Sequence, residues 1–423
     1  MTSAPQPEHS SAEEFVNEIL GVAVTVRASD IHIEPLIQEF RVRFRIDGVL
    51  QERWRRPLHE YEAVLNRIKV LANLDLTAHS ITQDGHFEAI VAEKIPAEKQ
   101  DQQKTQASIP TQWSDQGLPP PLAKSADVRP VNIRVSLFPT ITGSTIVLRL
   151  LNRADLLRRL EDLEMDVATL GRYKRLIARV YGLVLITGPA GSGKTTTLYA
   201  TLQELESPEK NIITLEDPIE FHFEQFRQTQ ISVERGFSFA DAMRSVLRQD
   251  PDALMIGEIR DPETAEYAVR AALIGRLVIS TVHSNTTVGT IARLLDMNID
   301  RSLIAYALNG VMARRLVRRI CEYCRAPYKP EEAFLSYLGL KGDSTFMKGA
   351  GCGECRGTGH SGRVGLFEVL EMDNNLRTLI IEKAPMDVLQ QYVEQSRIKM
   401  LKDDAREKVL AGLITPEEAM KAV

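Results

Sequence analysis

The sequence predicts an α/β protein built on a doubly wound sheet, with a smaller α+β domain before it and a metal-binding and helical region after it. Three observations carry that expectation. Gly188-Pro189-Ala190-Gly191-Ser192-Gly193-Lys194-Thr195 fits G-x-x-x-x-G-K-[ST], the pattern of a phosphate-binding loop. Short apolar runs, Leu183 to Thr187, Ile212 to Leu215, Ala253 to Ile256 and Leu277 to Val282, alternate with helical stretches, as in a parallel sheet covered by helices. Four cysteines, all the chain has, fall into two C-x-x-C pairs, Cys321 with Cys324 and Cys352 with Cys355.

At 423 residues the chain exceeds one ordinary domain, and two or three are expected. Hydrophobic residues make up 43 % and charged residues 26 %, which is ordinary globular composition with ample material for a core. The formal net charge of −5 gives no global basic footprint for nucleic acid. No apolar run approaches the roughly 18 residues of a membrane-spanning helix. The polar, acidic stretch from Met1 to Glu14 has neither the basic nor the apolar region of a secretory signal. The expected location is the cytoplasm.

Along the chain, residues 1–10 read as disordered. Phe15, Ile19, Val22, Ala23 and Val26 then recur at helical spacing behind a capping box at Ser11 and Glu14. The period changes to two at Ile31 and Ile33, and again at Phe40, Val42, Phe44 and Ile46, which alternate with Arg41, Arg43 and Arg45. Asp47-Gly48 signals a hairpin. These arginines read as a solvated strand face. Residues 92–128, rich in Gln, Lys, Ser and Pro, read as a flexible insertion. Strands resume at Val131 to Ser136 and Ile146 to Leu150, which closes a small domain over 11–151. Residues 152–164 read as a charged linker, 165–310 as the doubly wound core, 311–370 as a metal-binding region and 371–423 as a helical tail. After Ser302 the arginine-rich segment holding Arg314, Arg315, Arg318 and Arg319 reads as a helix with one exposed or subunit-facing side.

The loop carries the chemistry. With a buried strand before it and a helix from Thr195 to Leu205 after it, the backbone N–H groups of residues 188–193 point at a polyphosphate, and the helix N-terminus adds its positive end. Lys194 is placed to reach the β- and γ-phosphates and Thr195 to hold Mg²⁺, with Thr196 in the same turn. The pattern arises by chance in only roughly 1–2 % of chains this long, so the chain is expected to bind and hydrolyse a nucleoside triphosphate. That reaction also needs carboxylates. Strand-like runs end in Glu216-Asp217, in Gly257-Glu258 and in His283, and in a parallel sheet all three ends face the loop. Glu258 is the preferred base over Glu216, on the expectation that its strand neighbours the strand that feeds the loop. The cysteine pairs read as four thiolate ligands of one structural Zn²⁺, because disulfides are disfavoured in a reducing compartment.

Ser29-Asp30-Ile31-His32-Ile33-Glu34-Pro35, Arg45-Ile46-Asp47-Gly48, Ile213 to Glu220 and Gly257-Glu258-Ile259-Arg260-Asp261 resemble the signatures of the secretion ATPase superfamily. The cysteine pairs resemble the tetracysteine module of its type II secretion and pilus-extension branches. The resemblance covers about residues 11–423. It implies a RecA-like ATPase core, a PAS-like small domain before it, ATP with Mg²⁺ and Zn²⁺, a homo-hexamer, and an inner-membrane platform of type II secretion or type IV pilus assembly as partner. Direct nucleic acid binding is not expected. The additional N-terminal docking domain of many members is expected to be absent.

The resemblance also implies roles. Lys194 and Thr195 match the Walker A residues, Glu216 the acidic residue of the Asp box, Glu258 the Walker B glutamate, and His283 the second histidine of the His box, placed to sense the γ-phosphate. Arg134 and Arg149 resemble arginines that reach the nucleotide from the small domain. Some positions depart from the family pattern: Gly275-Arg276 for Gly-His, Gln83-Asp84-Gly85-His86 for Gln-Asp-Gly-Arg, Ser144-Thr145 for an acidic-basic pair, and Ser284-Asn285-Thr286 for Thr-Asn-Asp. Arg276 offers a positive charge where the histidine is missing. Two other functions fit the same motifs: a motor for DNA uptake or transfer, which needs a basic surface, and a degenerate subunit that binds nucleotide and regulates a partner.

Overall fold

A computed structural model describes residues 11–78, 81–92, 128–151, 156–232, 236–341, 344–396 and 398–423. The disorder expected for residues 1–10, and all but the ends of the expected insertion 92–128, lie outside them. The chain divides into two compact units, residues 1–152 and residues 153–423.

The first unit opens with α1 (Ala12–Thr25). Its capping box is reciprocal: Glu14 N–H donates to Ser11 Oγ at 3.2 Å and Ser11 N–H donates to Glu14 Oε2 at 2.9 Å, which satisfies two donors the helix itself leaves orphaned. Then follow β1 (Asp30–Pro35), β2 (Glu39–Ile46), β3 (Val49–Pro57), α2 (Tyr61–Leu71), β4 (Gln83–Ala92), β5 (Val128–Thr140) and β6 (Gly143–Leu151). They form one antiparallel sheet in the order β3-β2-β1-β6-β5-β4. Asp47 and Gly48 both take positive φ at the β2–β3 turn, as a two-residue hairpin of this hand requires.

Period-two patterning puts Ile31, Ile33, Phe40, Val42, Phe44, Ile133, Val135, Ile146 and Leu148 on one face, buried with Phe15, Ile19, Leu65 and Ile68 of the two helices. The alternate residues line the other face. Arg41 and Arg43 there are not simply solvated. They share the Glu34 carboxylate at 2.6 and 2.5 Å.

The second unit comprises α3 (Val167–Ile177), β7 (Gly182–Thr187), α4 (Lys194–Leu205), β8 (Ile212–Glu216), β9 (Arg227–Gln230), α5 (Phe239–Val246), β10 (Ala253–Ile256), α6 (Pro262–Leu273), β11 (Leu277–Val282), α7 (Thr287–Asp296), α8 (Arg301–Ala307), β12 (Leu308–Ile320), β13 (Arg325–Tyr328), α9 (Glu332–Leu338), β14 (Phe346–Gly349), β15 (His360–Glu371) and the helices α10 (Asn374–Ile381), α11 (Met386–Gln395), α12 (Leu401–Leu410) and α13 (Pro416–Ala422). Its seven-stranded sheet runs β15-β12-β7-β11-β10-β8-β9, parallel except for β15. Every residue of β7, β8, β10 and β11 is buried, which explains why these strands read as continuous apolar runs rather than alternations.

Three expectations need correction here. The arginine-rich segment is a strand, not a helix: β12 pairs parallel to β7 and antiparallel to β15. Residues 311–320 and 360–371 therefore belong to the central sheet, and only the turns between them carry the cysteines. Second, residues 156–164 are not a free linker, since Leu156, Leu160 and Leu163 are buried against β7, α3 and α4; residues 152–155 lie outside the described residues. Third, the strand beside β7 on the acidic side is β11, which leads into His283, and not β10.

The helical tail is packed rather than appended. Buried Asp404 accepts from the Phe367 N–H at 2.9 Å and pairs with Lys408 Nζ at 2.7 Å. Arg318 grips Glu418 through two bonds of 2.6 and 2.9 Å. Burial pushes the Glu418 carboxyl up, but Arg318 and Lys421 outweigh it and bring the pKa down to about 2. A depressed carboxylate adds stability above its unfolded value of about 4.3, and that stability is lost as pH falls through the folded value. Glu418→Gln is thus expected to cost about 1–3 kcal/mol at neutral pH. In urea denaturation the gap between wild type and variant should close as pH drops from about 4.3 towards 2; a gap that does not change with pH would count against the pair.

Candidate active site

The loop between β7 and α4 follows from its glycines. Gly188, Gly191 and Gly193 have φ of 152°, 72° and 88°, all in the range that favours glycine. Helix α4 begins at Lys194, and no side chain caps its first turn, so the N–H groups there are left to an anionic ligand. Pro189, Ala190 and Ser192 complete the loop. Ser192 Oγ is buried with no hydrogen-bond partner among the described residues. Lys194 Nζ donates to the Gly188 and Pro189 carbonyls at 2.8 and 3.0 Å. Burial lowers its pKa, with Glu258 opposing the shift. Thr195 and Thr196 follow in the first turn, both half-buried.

Three parallel strands deliver polar residues to the same sheet edge as this loop. Glu258, just past β10, contacts Arg260 through one carboxylate oxygen and His283 Nε2, past β11, through the other at 3.3 Å. Arg260 also stands 3.8 Å from Asp217. Burial raises the Glu258 carboxyl, but the Arg260 bond and the Arg260 and His283 charges hold it below the ordinary glutamate value.

Glu216 at the end of β8 is quite different. It is 3 % exposed, and its oxygens accept from Tyr199 Oη at 2.5 Å, Thr214 Oγ1 at 2.6 Å and Gln228 Nε2 at 3.0 Å. Tyr199 and Gln228 carried no sequence signal of this role, because their partner lies 17 and 12 residues away.

Arg134 and Arg149 sit in the first unit, directly opposite one another on β5 and β6. Arg149 Nε reaches Asp30 Oδ1 at 3.1 Å, and His86 stands opposite Arg134 on β4. Arg276 does not join the site. It precedes β11 at the amino end of the strand, bonded to Asp250 at 3.0 Å, because the residue before a parallel strand lies a full strand length from the edge that carries the loop.

The four arginines of β12 are all engaged within the chain. Arg314 donates to Gly193 O and Thr197 Oγ1, both at 2.7 Å, and Arg315 to Asn285 O at 2.7 Å. Arg318 holds Glu418, and Arg319 pairs with Glu164. They do not form the exposed basic face a DNA-driving motor would use. Arg314 is the site neighbour that sequence reasoning missed.

The cysteines converge in the turns after β12 and before β15. Their sulfurs all lie within 4.8 Å of one another. Cys321–Cys352, Cys324–Cys355 and Cys352–Cys355 are 3.8, 3.7 and 3.7 Å apart. A tetrahedral ion with bonds of about 2.3 Å separates its sulfurs by about 3.8 Å, so the donor set fits zinc. Backbone N–H groups of Gly351, Cys352 and Gly359 point at the Cys324 and Cys355 sulfurs at 3.2–3.3 Å, which orients these sulfurs and favours their thiolate form.

The model of the family described as "Type II/IV secretion system protein" matches residues 6–99 and 107–421. The chain belongs to this secretion family. It is 39 % identical over 410 residues to type II secretion system protein E of Pseudomonas aeruginosa, covering 96 % of this chain and 74 % of that protein. It is also 39 % identical over 411 residues to the type IV pilus assembly ATPase PilB of Myxococcus xanthus, covering 96 % and 67 %. Among solved structures, the pilus retraction motor PilT with bound ADP superposes with a TM-score of 0.61 at 25 % identity, over 96 % of both chains. The Legionella pneumophila ATPase DotB superposes with a TM-score of 0.67 at 21 % identity, over 99 % and 97 %, and shows the shared fold. Among the described residues no helix is long and apolar enough to cross a membrane.

Proposed function

We propose that this member of the secretion family is a hexameric ATPase motor that works at the cytoplasmic face of an inner membrane and drives type II secretion or type IV pilus assembly. The observation that carries the reading is the convergence of the phosphate loop, Glu258 and His283 on one edge of the sheet, in a chain 39 % identical to a type II secretion protein E and to a pilus assembly ATPase.

The residues divide the work. The loop N–H groups and Lys194 bind the β- and γ-phosphates, and the Thr195 hydroxyl would hold Mg²⁺. Mg²⁺, when bound, neutralises charge that builds on the phosphate oxygens. Water attacks the γ-phosphorus, Glu258 takes its proton, and the bond to the β-phosphate oxygen breaks to leave ADP. Glu258 suits this part because it is only partly buried and lies within reach of His283, which senses the γ-phosphate. Glu216 has both carboxylate oxygens engaged by three donors and acts as a buried organiser of Tyr199, Thr214 and Gln228. By the family resemblance Arg134 and Arg149 serve nucleotide hydrolysis, and movement of the small unit during turnover is the power stroke. Cys321, Cys324, Cys352 and Cys355 hold Zn²⁺ as a structural clasp that docks the platform.

Because Glu258 of the free chain sits below the ordinary glutamate value of about 4.3, the acid limb of kcat/KM from this base is expected below pH 4.3, with no loss between pH 5 and 7 on its account. A pH-rate profile with a limb near pH 6 that shifts in Glu258→Asp would contradict this. The function itself is tested by deleting the gene and scoring extracellular protein and pili. Wild type should restore the lost export or filament and Glu258→Gln should not. Full restoration by the variant would sink the motor reading. Native mass spectrometry of Glu258→Gln with ATP should show six copies.

A further inference from the structure

Arg314 is 4 % exposed. Its guanidinium donates to the Gly193 carbonyl and the Thr197 hydroxyl and lies over the Phe367 ring, 5.2 Å from its centroid. Among the described residues no carboxylate pairs with it; of the other two buried cations, Lys408 pairs with Asp404 and Lys69 donates to the Ala78 carbonyl at 2.8 Å. A buried charge without a counter-ion is costly. Burial, and after it the charges of Arg158 and Arg363, pulls the Arg314 pKa down to about 9, with Glu164 opposing.

The placement is specific to the loop. A Cβ on Gly193 would meet Cζ of Arg314 at 2.7 Å, and a Cβ on Gly188 would meet the Arg314 carbonyl at 2.4 Å. One residue thus packs against the glycines at both ends of the phosphate loop. The Gly193 carbonyl also accepts from the Thr197 N–H at 3.1 Å. In a trans peptide the C=O and the following N–H point in opposite directions. Pinning the Gly193 oxygen therefore aims the Lys194 N–H the other way, into the cradle.

We propose that Arg314 is the positioning residue of the phosphate loop: its guanidinium fixes the Gly193 peptide and supplies, from behind the loop, a positive charge whose counter-ion is the bound polyphosphate. This rests on the reading that the loop binds a nucleoside polyphosphate. It deepens that reading by predicting that the benefit grows with phosphate charge, whereas a purely structural brace would serve all nucleotides equally. A unit charge several ångströms from the phosphates, at intermediate dielectric, is worth about tenfold in affinity.

The test is fluorescence titration of the full chain with mant-ATP and mant-ADP, using wild type, Arg314→Met, Arg314→Lys and the loop-dead control Lys194→Ala, with folding checked by near-ultraviolet circular dichroism. Arg314→Met is expected to weaken ATP by about tenfold and ADP by less, and Arg314→Lys to fall between it and wild type. In a folded Arg314→Met chain, ATP affinity within about twofold of wild type, or equal losses for the two nucleotides, would overturn the proposal. If Arg314→Met does not fold, the neutral Arg314→Gln takes its place and decides. A larger loss for ATP than for ADP supports the charge, and no loss or an equal loss overturns it. A wild-type chain that binds no better than Lys194→Ala would instead overturn the nucleotide reading, and this inference with it.

Discussion

Glu258→Gln is expected to lower turnover by at least about a hundredfold, towards the ten-thousandfold limit for loss of a general base, while ATP stays bound. The substitution is nearly isosteric. A glutamine carbonyl oxygen can still accept from Arg260, so the fold and the loop are left intact, but it cannot take the proton of the attacking water. Glu216→Gln is expected to act differently. Its carboxylate is buried under three donors, Tyr199, Thr214 and Gln228. Replacing one oxygen by an NH₂ group sets donor against donor and should cost about 1–3 kcal/mol of stability, with a smaller effect on the chemical step. Single-turnover ATP hydrolysis and urea denaturation of both variants separate the cases. If Glu216→Gln kept full stability and lost turnover while Glu258→Gln still turned over, the two carboxylates would have to exchange roles.

Loss of the metal should be the largest stability effect. Zinc bound by structural thiolates contributes on the order of 10 kcal/mol to small zinc domains. Here part of that is replaced by packing, because the cysteine turns leave from β12 and β15, which pair from Gly310 to Arg318 against Arg363 to Glu371. Chelation, or Cys352→Ser, is expected to lower the melting temperature and to remove hydrogen-exchange protection from residues 321–359. The long β12–β15 pairing keeps Arg314 in place, so ATP affinity should stay within about twofold. One zinc per chain by elemental analysis should accompany the wild type. A wild-type chain that purifies without zinc and melts at a temperature unchanged by chelator or by Cys352→Ser would show that the four sulfurs are not a zinc site.

The sequence showed most of what local chemistry can encode. The loop, the capping box at Ser11 and Glu14 and the Asp47-Gly48 hairpin are set by neighbours within a few residues, and the C-x-x-C pairs by ligand spacing. The buried strands were visible because parallel strands covered on both faces read as unbroken apolar runs. What was hidden depends on distant partners. Arg314, Arg315, Arg318 and Arg319 are spaced like one face of a helix, yet the segment is a strand because Val311, Met312 and Ala313 are buried beside β7 and β15. Each arginine then answers to a group elsewhere: Gly193, Asn285, Glu418 or Glu164. Strand order is likewise non-local, and it placed β11 rather than β10 beside the loop strand. Glu216 and Glu258 look alike in sequence as carboxylates after apolar strands. Only the donors gathered around Glu216 tell them apart.

The most direct measurement is ATPase rate per subunit against protein concentration, with Glu258→Gln as the blank. A rate that rises with concentration, reaches a plateau and vanishes in the variant is the expected result, since turnover is proposed to need an assembled ring. A rate at the level of the blank at every concentration would contradict a self-assembling motor and leave the chain a nucleotide-binding regulator.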